Sequence, residues 1–338
     1  MTIFSVLDLS PLRANQSAAA ALANTLDLAQ NCERFGFHRF WVAEHHNMPG
    51  IASAATAVVI SHVAHGTKTM RIGAGGVMLP NHAPLVIAEQ FGTLESLFPG
   101  RIDLGLGRAP GTDQLTAHAL RRTLVGDIDR FPNDVQELMA YFAPVQPGQK
   151  VRAVPGAGLE VPIWILGSST YGAQLAAHFG LPFAFASHFA PEQMMHAIKF
   201  YRDGFQPSAR LAKSHLMLGF NVLAADTDDE AKYLSSSAQR SYINRARGLR
   251  TQLEPPMRDF ELTLAKDEKA FLASRVSKSA VGGPETVREG LEQFIAETGA
   301  DELMIATQVY DHRARVRSYE ITAEVGRVIN GAKAKASA

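Results

Sequence analysis

The chain has 338 residues, and its 33 basic and 33 acidic side chains give a formal net charge of zero. A protein whose main partner is nucleic acid needs a surplus or a patch of positive charge, so the composition disfavours that class. The single cysteine, Cys32, excludes an internal disulfide and a cysteine-rich metal site. No apolar run approaches the ~18 residues of a membrane span. Since no basic segment precedes the strand-like run at Ile3, the sequence predicts a cytoplasmic protein.

Short apolar runs alternate with helical patterns from one end of the chain to the other. Runs of this kind are typical of parallel strands that are covered on both faces. The eight predicted strands are, in chain order, Phe4–Leu9, Arg39–Ala43, Met70–Val77, Ile102–Leu106, Pro162–Leu166, Phe183–Ser187, Leu216–Ala224 and Asp301–Thr307.

Helical stripes with a 3.6-residue period fill the intervals between these strands. One stripe carries Cys32, which we therefore expect to be buried, and a later one begins behind Gly283-Pro284. Eight βα units predict an α/β protein with a closed (β/α)8 barrel, or TIM barrel, whose usual length is about 250 residues plus insertions. Because periodicity does not report closure, an open doubly wound sheet is the alternative.

The length beyond a minimal barrel falls in three segments of a single domain, residues 1–338. Residues 109–128 and 143–161 are rich in proline, glycine and polar side chains, and residues 240–282 form a larger insertion. Insertions after barrel strands lie on the catalytic, C-terminal face and can act as lids. The tail 331–338 is expected to be frayed. Four arginines that open the largest insertion belong either to a site or to a solvated helix face, and they are Arg240, Arg245, Arg247 and Arg250.

Three ionisable side chains, Glu44-His45-His46, directly follow the predicted strand Arg39–Ala43. Barrel and open α/β enzymes build their sites at the carboxyl ends of their strands. Neighbouring residues on a strand point to opposite faces, so both histidines share a pocket only if the strand has ended. A metal site also lacks a third ligand at a recognisable spacing, and we predict none. Two interpretations stay open: a hydrogen-bonded structural cluster, or a histidine beside a cofactor with Glu44 buried and paired below it.

Glycine-containing segments end two later strands. Gly75-Gly76 would let a flat ligand approach the backbone, although a β-bulge or a tight turn also explains it. The segment 103–111 approaches a dinucleotide-binding fingerprint, but Pro110 replaces its third glycine and no helical pattern opens there. Arg108, which directly follows a strand, instead suits an anion such as a phosphate.

One further strand end is followed by small hydroxyl residues and then by a helix. The helix is predicted over Gln174–Phe179, and Gly167, Ser168, Ser169 and Gly172 stand before it. Backbone N–H groups at a helix N-terminus, with hydroxyls beside them, form a phosphate site, whereas ordinary N-capping by Ser168 or Ser169 is the alternative. Together with the histidine, the glycine pair and Arg108, this helix start fits a phosphorylated planar cofactor such as FMN.

On these motifs the sequence resembles the luciferase-like flavin-dependent monooxygenases, the superfamily of the bacterial luciferase subunits. It is most similar to their single-chain bacterial members, and the resemblance covers nearly the whole chain. Its landmarks are Trp41–His46, Gly75-Gly76 with Leu79-Pro80, Pro99–Arg108, Leu166–Ser169, and Asp301–Met304 before Tyr310–His312.

The resemblance implies a TIM barrel that binds reduced FMN at the carboxyl ends of its strands. By the family pattern, His45 matches the catalytic histidine and Glu44 lies near the flavin. Gly75-Gly76 matches a non-prolyl cis peptide beneath the flavin ring, and Arg108 matches a phosphate-binding arginine. The luciferase light-emitting subunit has bulkier residues at Gly75-Gly76 and Gly172, so Gly172 contributes only backbone. The phosphate-binding helix start corresponds to Gly167, Ser168, Ser169 and Gly172.

The same resemblance implies a monooxygenase. A separate flavin reductase would supply reduced FMN, which would react with O2 to give a C4a-(hydro)peroxyflavin that oxygenates a small organic substrate. His45 would stabilise or protonate that species. The family also implies a homodimer, with no metal, nucleic acid or membrane among the partners.

Three alternatives remain open. A deazaflavin-dependent dehydrogenase uses a similar barrel but transfers a hydride without oxygen. A non-catalytic flavin-binding partner subunit is disfavoured because His45 and Arg108 are retained. A barrel hydrolase or lyase without flavin is disfavoured because the sequence shows no carboxylate pair or nucleophile–base set.

Overall fold

The structure, a computed structural model, describes residues 1–109, 114–120 and 130–336. Its strands are β1 (Ile3–Asp8), β2 (Arg39–Val42), β3 (Arg71–Met78), β4 (Ile102–Gly107), β5 (Ile163–Gly167), β6 (Phe183–Phe185), β7 (Leu216–Ala224), β8 (Ser279–Gly282) and β9 (Glu302–Ala306). Its helices are α1 (Ala18–Phe35), α2 (Thr56–Gly66), α3 (Pro84–Leu97), α4 (Gln114–Leu120), α5 (Phe131–Phe142), α6 (Thr170–Phe179), α7 (Met194–Gly204), α8 (Asp228–Ala246), α9 (Lys266–Arg275), α10 (Pro284–Thr298) and α11 (His312–Ala336). Two 3-10 turns cover Leu79–Asn81 and Phe260–Thr263.

Eight parallel strands close into a barrel. Strands β1 to β6 pair in chain order, β6 pairs with β7, and β9 lies between β7 and β1. The two pairings that complete the ring join Phe183 to Leu216 and Val6 to Ile305, among others. The closed (β/α)8 TIM barrel is therefore confirmed, and the open doubly wound sheet is excluded.

A ninth strand, β8, lies outside the barrel. It pairs only with the far end of β7, from Asn221 to Ala224. The sequence analysis counted eight strands and missed this one. Its four residues, Ser279–Gly282, alternate between half-buried and buried and form no apolar run, so they lack the pattern that revealed the others.

Large side chains fill the interior of the barrel. The rings of Trp41 and Trp164 meet edge to face with their centroids 5.2 Å apart, and Leu7 and Met304 pack in the same cluster. Since side chains alternate along a strand, the neighbours of Trp41 point outward into the core beneath the helices. The barrel is thus a packed core with its polar openings at the two ends.

Buried charges seal the end of the barrel where the strands begin. Arg39 donates to Asp103 Oδ2 at 2.6 Å and to Glu302 Oε1 at 2.7 Å. His215 Nε2 lies 3.1 Å from the other oxygen of Glu302. Burial alone would raise the pKa of Glu302, but the charge of Arg39 and the hydrogen bonds outweigh it and hold that pKa at about 2.

The helices begin and end where their sequences favour it. The hydroxyl of Ser17 accepts a hydrogen bond from Ala20 N at the start of α1, and Gly36, with φ 88°, ends that helix in a left-handed conformation. Cys32 is buried in α1, as predicted. None of the described helices is long and apolar enough to cross a membrane.

The largest insertion packs over the end of the barrel where the strands finish. It contains the last turns of α8, then α9 and β8. Leu253 exchanges two backbone hydrogen bonds with the loop after β1, with Ala14 at 2.8 Å and with Leu12 at 2.9 Å. In the predicted insertion 109–128, α4 is described and residues 110–113 and 121–128 lie outside the described part.

Candidate active site

The first polar cluster at the carboxyl end of the strands surrounds Glu44. Strand β2 ends at Val42, so Glu44-His45-His46 lies in the loop that follows. His46 Nε2 and His82 Nε2 lie 2.9 Å and 2.8 Å from the same oxygen of Glu44. An ionised carboxylate only accepts, so both imidazoles donate to it. Burial alone would raise the pKa of Glu44, but these two hydrogen bonds outweigh it and lower that pKa to about 2.

This arrangement agrees with one expectation and extends another. Glu44 is buried and paired, and its partners are His46 and His82. The sequence offered no third metal ligand, whereas the fold supplies His82, and the ligand atoms of this trio lie within 4.8 Å of one another. As they stand, both ring N–H groups are used on the carboxylate, which is satisfied without an ion. The trio therefore acts first as a support for the loop that carries His45.

His45 lies between Glu44 and His46 in the same loop. Its Nδ1 is buried, and no described residue offers it a hydrogen-bond partner. Burial, followed by the positive charge of Arg245 on α8, lowers the pKa of His45 to about 4. The ring is therefore neutral at pH 7. A buried polar atom without a partner is rare enough in proteins to call for an explanation, and a bound ligand is one.

The sequence analysis missed a second buried imidazole, that of His188. His188 follows β6, and its Nδ1 is also buried without a partner among the described residues. A Cβ atom at Gly219 would lie 2.1 Å from this Nδ1, so the imidazole fits only because residue 219 of β7 is glycine. Burial, and then the charge of His45, lower the pKa of His188 to about 4. The sequence could have revealed His188, because it directly follows a predicted strand, as the polar run with His45 does.

The Gly75–Gly76 peptide bond in β3 is cis, as the family resemblance implies. A Cβ atom at Gly75 would lie 2.9 Å from Leu7 Cδ1 and 3.1 Å from Trp41, inside the barrel. A Cβ atom at Gly76 would lie 2.7 Å from the carbonyl oxygen of Gly105. Both glycines are therefore required by close packing at the top of the barrel.

The fourth and fifth strands end in the elements predicted to bind phosphate. Arg108 follows β4, and its guanidinium lies 4.0 Å from the ring centre of Tyr171 in the first turn of α6. It forms no ion pair with any described residue. Ser169 is the N-cap of α6, yet its hydroxyl makes no capping hydrogen bond, so ordinary N-capping does not explain it. Ser168 is exposed beside it.

The predicted site residues come from neighbouring strands. His45 follows β2, Gly75-Gly76 lies in β3, and Arg108 follows β4. Gly107 pairs with Leu166, next to Gly167, Ser168 and Ser169 at the end of β5. Gly172 is buried in the first turn of α6, where a Cβ atom would lie 3.4 Å from the Cα of Gly167. The fold thus brings every predicted residue to one edge of the barrel, and His188 extends that edge to β6.

A cavity of about 380 Å³ opens beside this edge. The loops after β1 and β2 form one wall, with Pro11, Met48 and Ile51. The end of α8 and the segment that follows it form the other wall, which includes Arg245 and Leu253. This volume is within the range of small-molecule sites.

The sequence is similar to those of proteins with a known description. It matches the family model of luciferase-like monooxygenases over residues 2–302. A protein of Escherichia coli strain K12 described as a luciferase-like monooxygenase is 51% identical over 328 residues, or 97% of this chain and 98% of that protein. The N-acetyl-S-alkylcysteine monooxygenase of Bacillus subtilis is 37% identical over 243 residues, or 69% of this chain and 70% of that protein.

Solved structures share the barrel. The structure of apo-MsnO8 has a TM-score of 0.86 at 30% identity, covering 97% of this chain and 99% of that one. Two others at 16% identity are similar in fold. The oxygenating constituent of 3,6-diketocamphane monooxygenase of Pseudomonas putida, in complex with FMN, has a TM-score of 0.70 and covers 95% of this chain and 96% of its own. An F420-dependent secondary alcohol dehydrogenase has a TM-score of 0.62 and covers 94% of this chain and 97% of its own.

Proposed function

Because the chain belongs to the luciferase-like monooxygenase family, we propose that it is a flavin-dependent monooxygenase that uses reduced FMN and O2 to oxygenate a small organic substrate. The observation that carries this proposal is the buried Nδ1 of His45, which has no partner among the described residues. It lies at the end of the barrel where the cis peptide and Arg108 also lie. A neutral imidazole with one unused polar atom suits hydrogen bonding or proton transfer beside a cofactor.

The residues on this edge fit FMN at both of its ends. Arg108 and the uncapped start of α6, with Ser168, Ser169 and Gly172, would hold the phosphate. Gly75-Gly76, which leaves no side chain above the barrel core, would lie against the flat ring. The bound flavin would supply the electrons that activate oxygen, and the protein would orient it and exclude water.

His45 and Glu44 take different parts in this proposal. His45 would hold or transfer a proton through Nδ1, because its pKa of about 4 leaves the ring neutral at pH 7. Glu44 would act as a positioning residue, since it fixes His46 and His82 around the loop of His45. Supply of reduced FMN by a separate reductase and assembly into a homodimer stay predictions.

The second candidate is a deazaflavin-dependent dehydrogenase. It is favoured by the F420-dependent dehydrogenase among the structures of the same fold. The monooxygenase is preferred because the relatives of higher identity are described as monooxygenases. A non-catalytic flavin-binding subunit is not preferred, because it would give no role to the neutral His45, whose Nδ1 has no partner among the described residues.

Cofactor titration followed by rapid mixing with oxygen tests the proposal. The purified chain is titrated with reduced FMN and, separately, with the deazaflavin F420, and the FMN complex is then mixed with O2. We expect tight binding of reduced FMN and a rate of flavin reoxidation that differs from that of free reduced FMN. Binding of F420 without FMN would establish the dehydrogenase instead. FMN binding with the reoxidation rate of the free flavin would indicate the non-catalytic subunit.

A further inference from the structure

Three of the four arginines at the start of the largest insertion have partners, and one of them is Arg250, whose Nη1 donates to the carbonyl oxygen of Asn47 at 3.2 Å. Arg240 pairs with Glu254 at 3.1 Å, and Arg247 pairs with Glu268 at 2.7 Å. Arg245 lies between them in sequence, but it forms no ion pair with a described residue. The paired arginines behave as the solvated helix face that the sequence allowed, whereas Arg245 requires another explanation.

Arg245 lines the cavity of about 380 Å³ beside the candidate active site. Apolar side chains line much of the rest, including Met48, Ile51 and Leu253. Among the residues that the structure describes, no aspartate or glutamate lines this cavity. A cavity with two cations, Arg245 and Arg250, an apolar wall and no carboxylate among its described lining residues is complementary to a ligand that has an apolar body and an anionic end.

One of the two cations, Arg245, also acts on the candidate catalytic histidine. After burial, the charge of Arg245 is the largest cause of the low pKa of His45. Arg245 therefore lies within the range over which its charge acts on His45, and the cavity that it lines includes Met48 and Ile51 from the loop that follows His45.

We propose that this cavity binds the substrate and that the substrate is an organic acid, whose carboxylate pairs with Arg245 while its apolar body packs against Met48, Ile51 and Leu253. The proposal rests on the proposed function only in treating the ligand as a substrate. Binding of the acid itself requires neither flavin nor oxygen. An arginine suits this task because its planar guanidinium can donate two parallel hydrogen bonds to a carboxylate.

Binding of one acid and its uncharged amide tests the proposal without the cofactor. We would titrate the complete chain with 4-phenylbutanoate and with 4-phenylbutanamide by calorimetry. The native protein should prefer the acid, and Arg245→Gln should weaken acid binding about tenfold while leaving amide binding unchanged. Arg245→Lys should retain part of the preference because it keeps the charge. The matched control is Arg247→Gln, a neighbouring arginine that pairs with Glu268, and it should bind the acid as the native chain does.

Three results would overturn the proposal. They are equal affinity of the native chain for acid and amide, unchanged acid binding in Arg245→Gln, and no binding of the acid up to its solubility limit. Because flavin titration is a separate measurement, a chain that binds reduced FMN but not the acid would lose only this proposal. A chain that binds the acid but no FMN would lose only the proposed function.

Discussion

At the amino ends of the barrel strands the buried charges are paired, whereas at the carboxyl ends two buried imidazole nitrogens have no partner among the described residues. Arg39 makes three hydrogen bonds to Asp103 and Glu302. His45 and His188 each leave Nδ1 unused. A satisfied polar network holds a fold in one arrangement. A buried polar atom without a hydrogen bond raises the free energy of the folded state, and a ligand that supplies the bond lowers it again. Polar groups at the amino end thus serve stability, whereas the carboxyl end combines the satisfied cluster around Glu44 with two imidazole nitrogens that a ligand could bind.

The largest effect is expected at the paired end. Arg39→Ala would leave Asp103 and Glu302 buried without their shared cation, and the free energy of unfolding should fall by about 3–5 kcal/mol. Urea unfolding measures this loss. FMN binding by the fraction that remains folded should be unchanged, since Arg39 lies at the opposite end of the barrel from the cofactor residues.

Arg288→Ala is the matched control for this variant. Arg288 also bridges two carboxylates, Glu285 and Glu292, but on the outer surface of α10. Exposed ion pairs contribute little, so its removal should barely change the free energy of unfolding. Equal losses in the two variants would contradict the view that burial makes the Arg39 network structural.

At the carboxyl ends we expect the reverse of the Arg39→Ala result, a loss of activity with little change in stability. His45→Ala should leave the free energy of unfolding and FMN affinity nearly unchanged, because its Nδ1 makes no hydrogen bond to a described residue. Substrate-dependent oxygen uptake should fall by about 100-fold or more, as is usual when a group that transfers a proton is removed. His65→Ala, on the exposed face of α2, is the control. Unchanged oxygen uptake in His45→Ala would remove His45 from the proposed chemistry.

The ring of strands could be predicted from the sequence, because each barrel strand is an apolar run covered on both faces. His45, Arg108 and Ser168 could be found in the same way, since each comes directly after such a run. Closure of the ring depends on pairings between distant segments, such as that of β1 with β9. No local pattern reports them.

The partners of these residues could not be predicted for the same reason. His82 reaches Glu44 because β2 and β3 are neighbours, and Arg245 approaches His45 because the insertion folds back over the barrel. The sequence predicted that Glu44 is paired but named no partner, and the fold supplies His46 and His82. Side-chain direction in a loop follows from tertiary packing, which periodicity does not contain.

A smaller effect is expected at the phosphate end of the site. Arg108→Ala should weaken FMN binding about tenfold and leave riboflavin binding unchanged, because riboflavin has no phosphate. Fluorescence titration with both flavins measures the difference. Arg258→Ala is the matched control, since Arg258 also stacks on a tyrosine, with its guanidinium 4.8 Å from the ring centre of Tyr233. An equal loss of affinity for both flavins would mean that Arg108 acts on the shape of the site instead.

The last expected effect is a change in how stability depends on pH. His45 and His188 have pKa values near 4 in the folded chain against 6.5 for an ordinary histidine. As the pH falls from 6.5 to 4, these two histidines bind protons in the unfolded chain but not in the folded chain. The free energy of unfolding therefore decreases. Glu44 and Glu302, with pKa values of about 2, contribute stability that is lost only below pH 4.5. Between pH 4.5 and 6.5, the change in the free energy of unfolding with pH therefore measures the contribution of the histidines.

His188→Asn removes one of these two groups and should reduce the loss of stability in that window. Urea unfolding of the variant and the native chain at several pH values gives the two slopes, and His65→Asn, with its exposed side chain, should keep the native slope. Identical slopes for His188→Asn and the native chain would mean that His188 binds a proton as readily in the folded as in the unfolded state. The two ends of the barrel would then not differ in the way that the unpartnered imidazoles suggest, because an easily protonated His188 must have access to water or to a carboxylate.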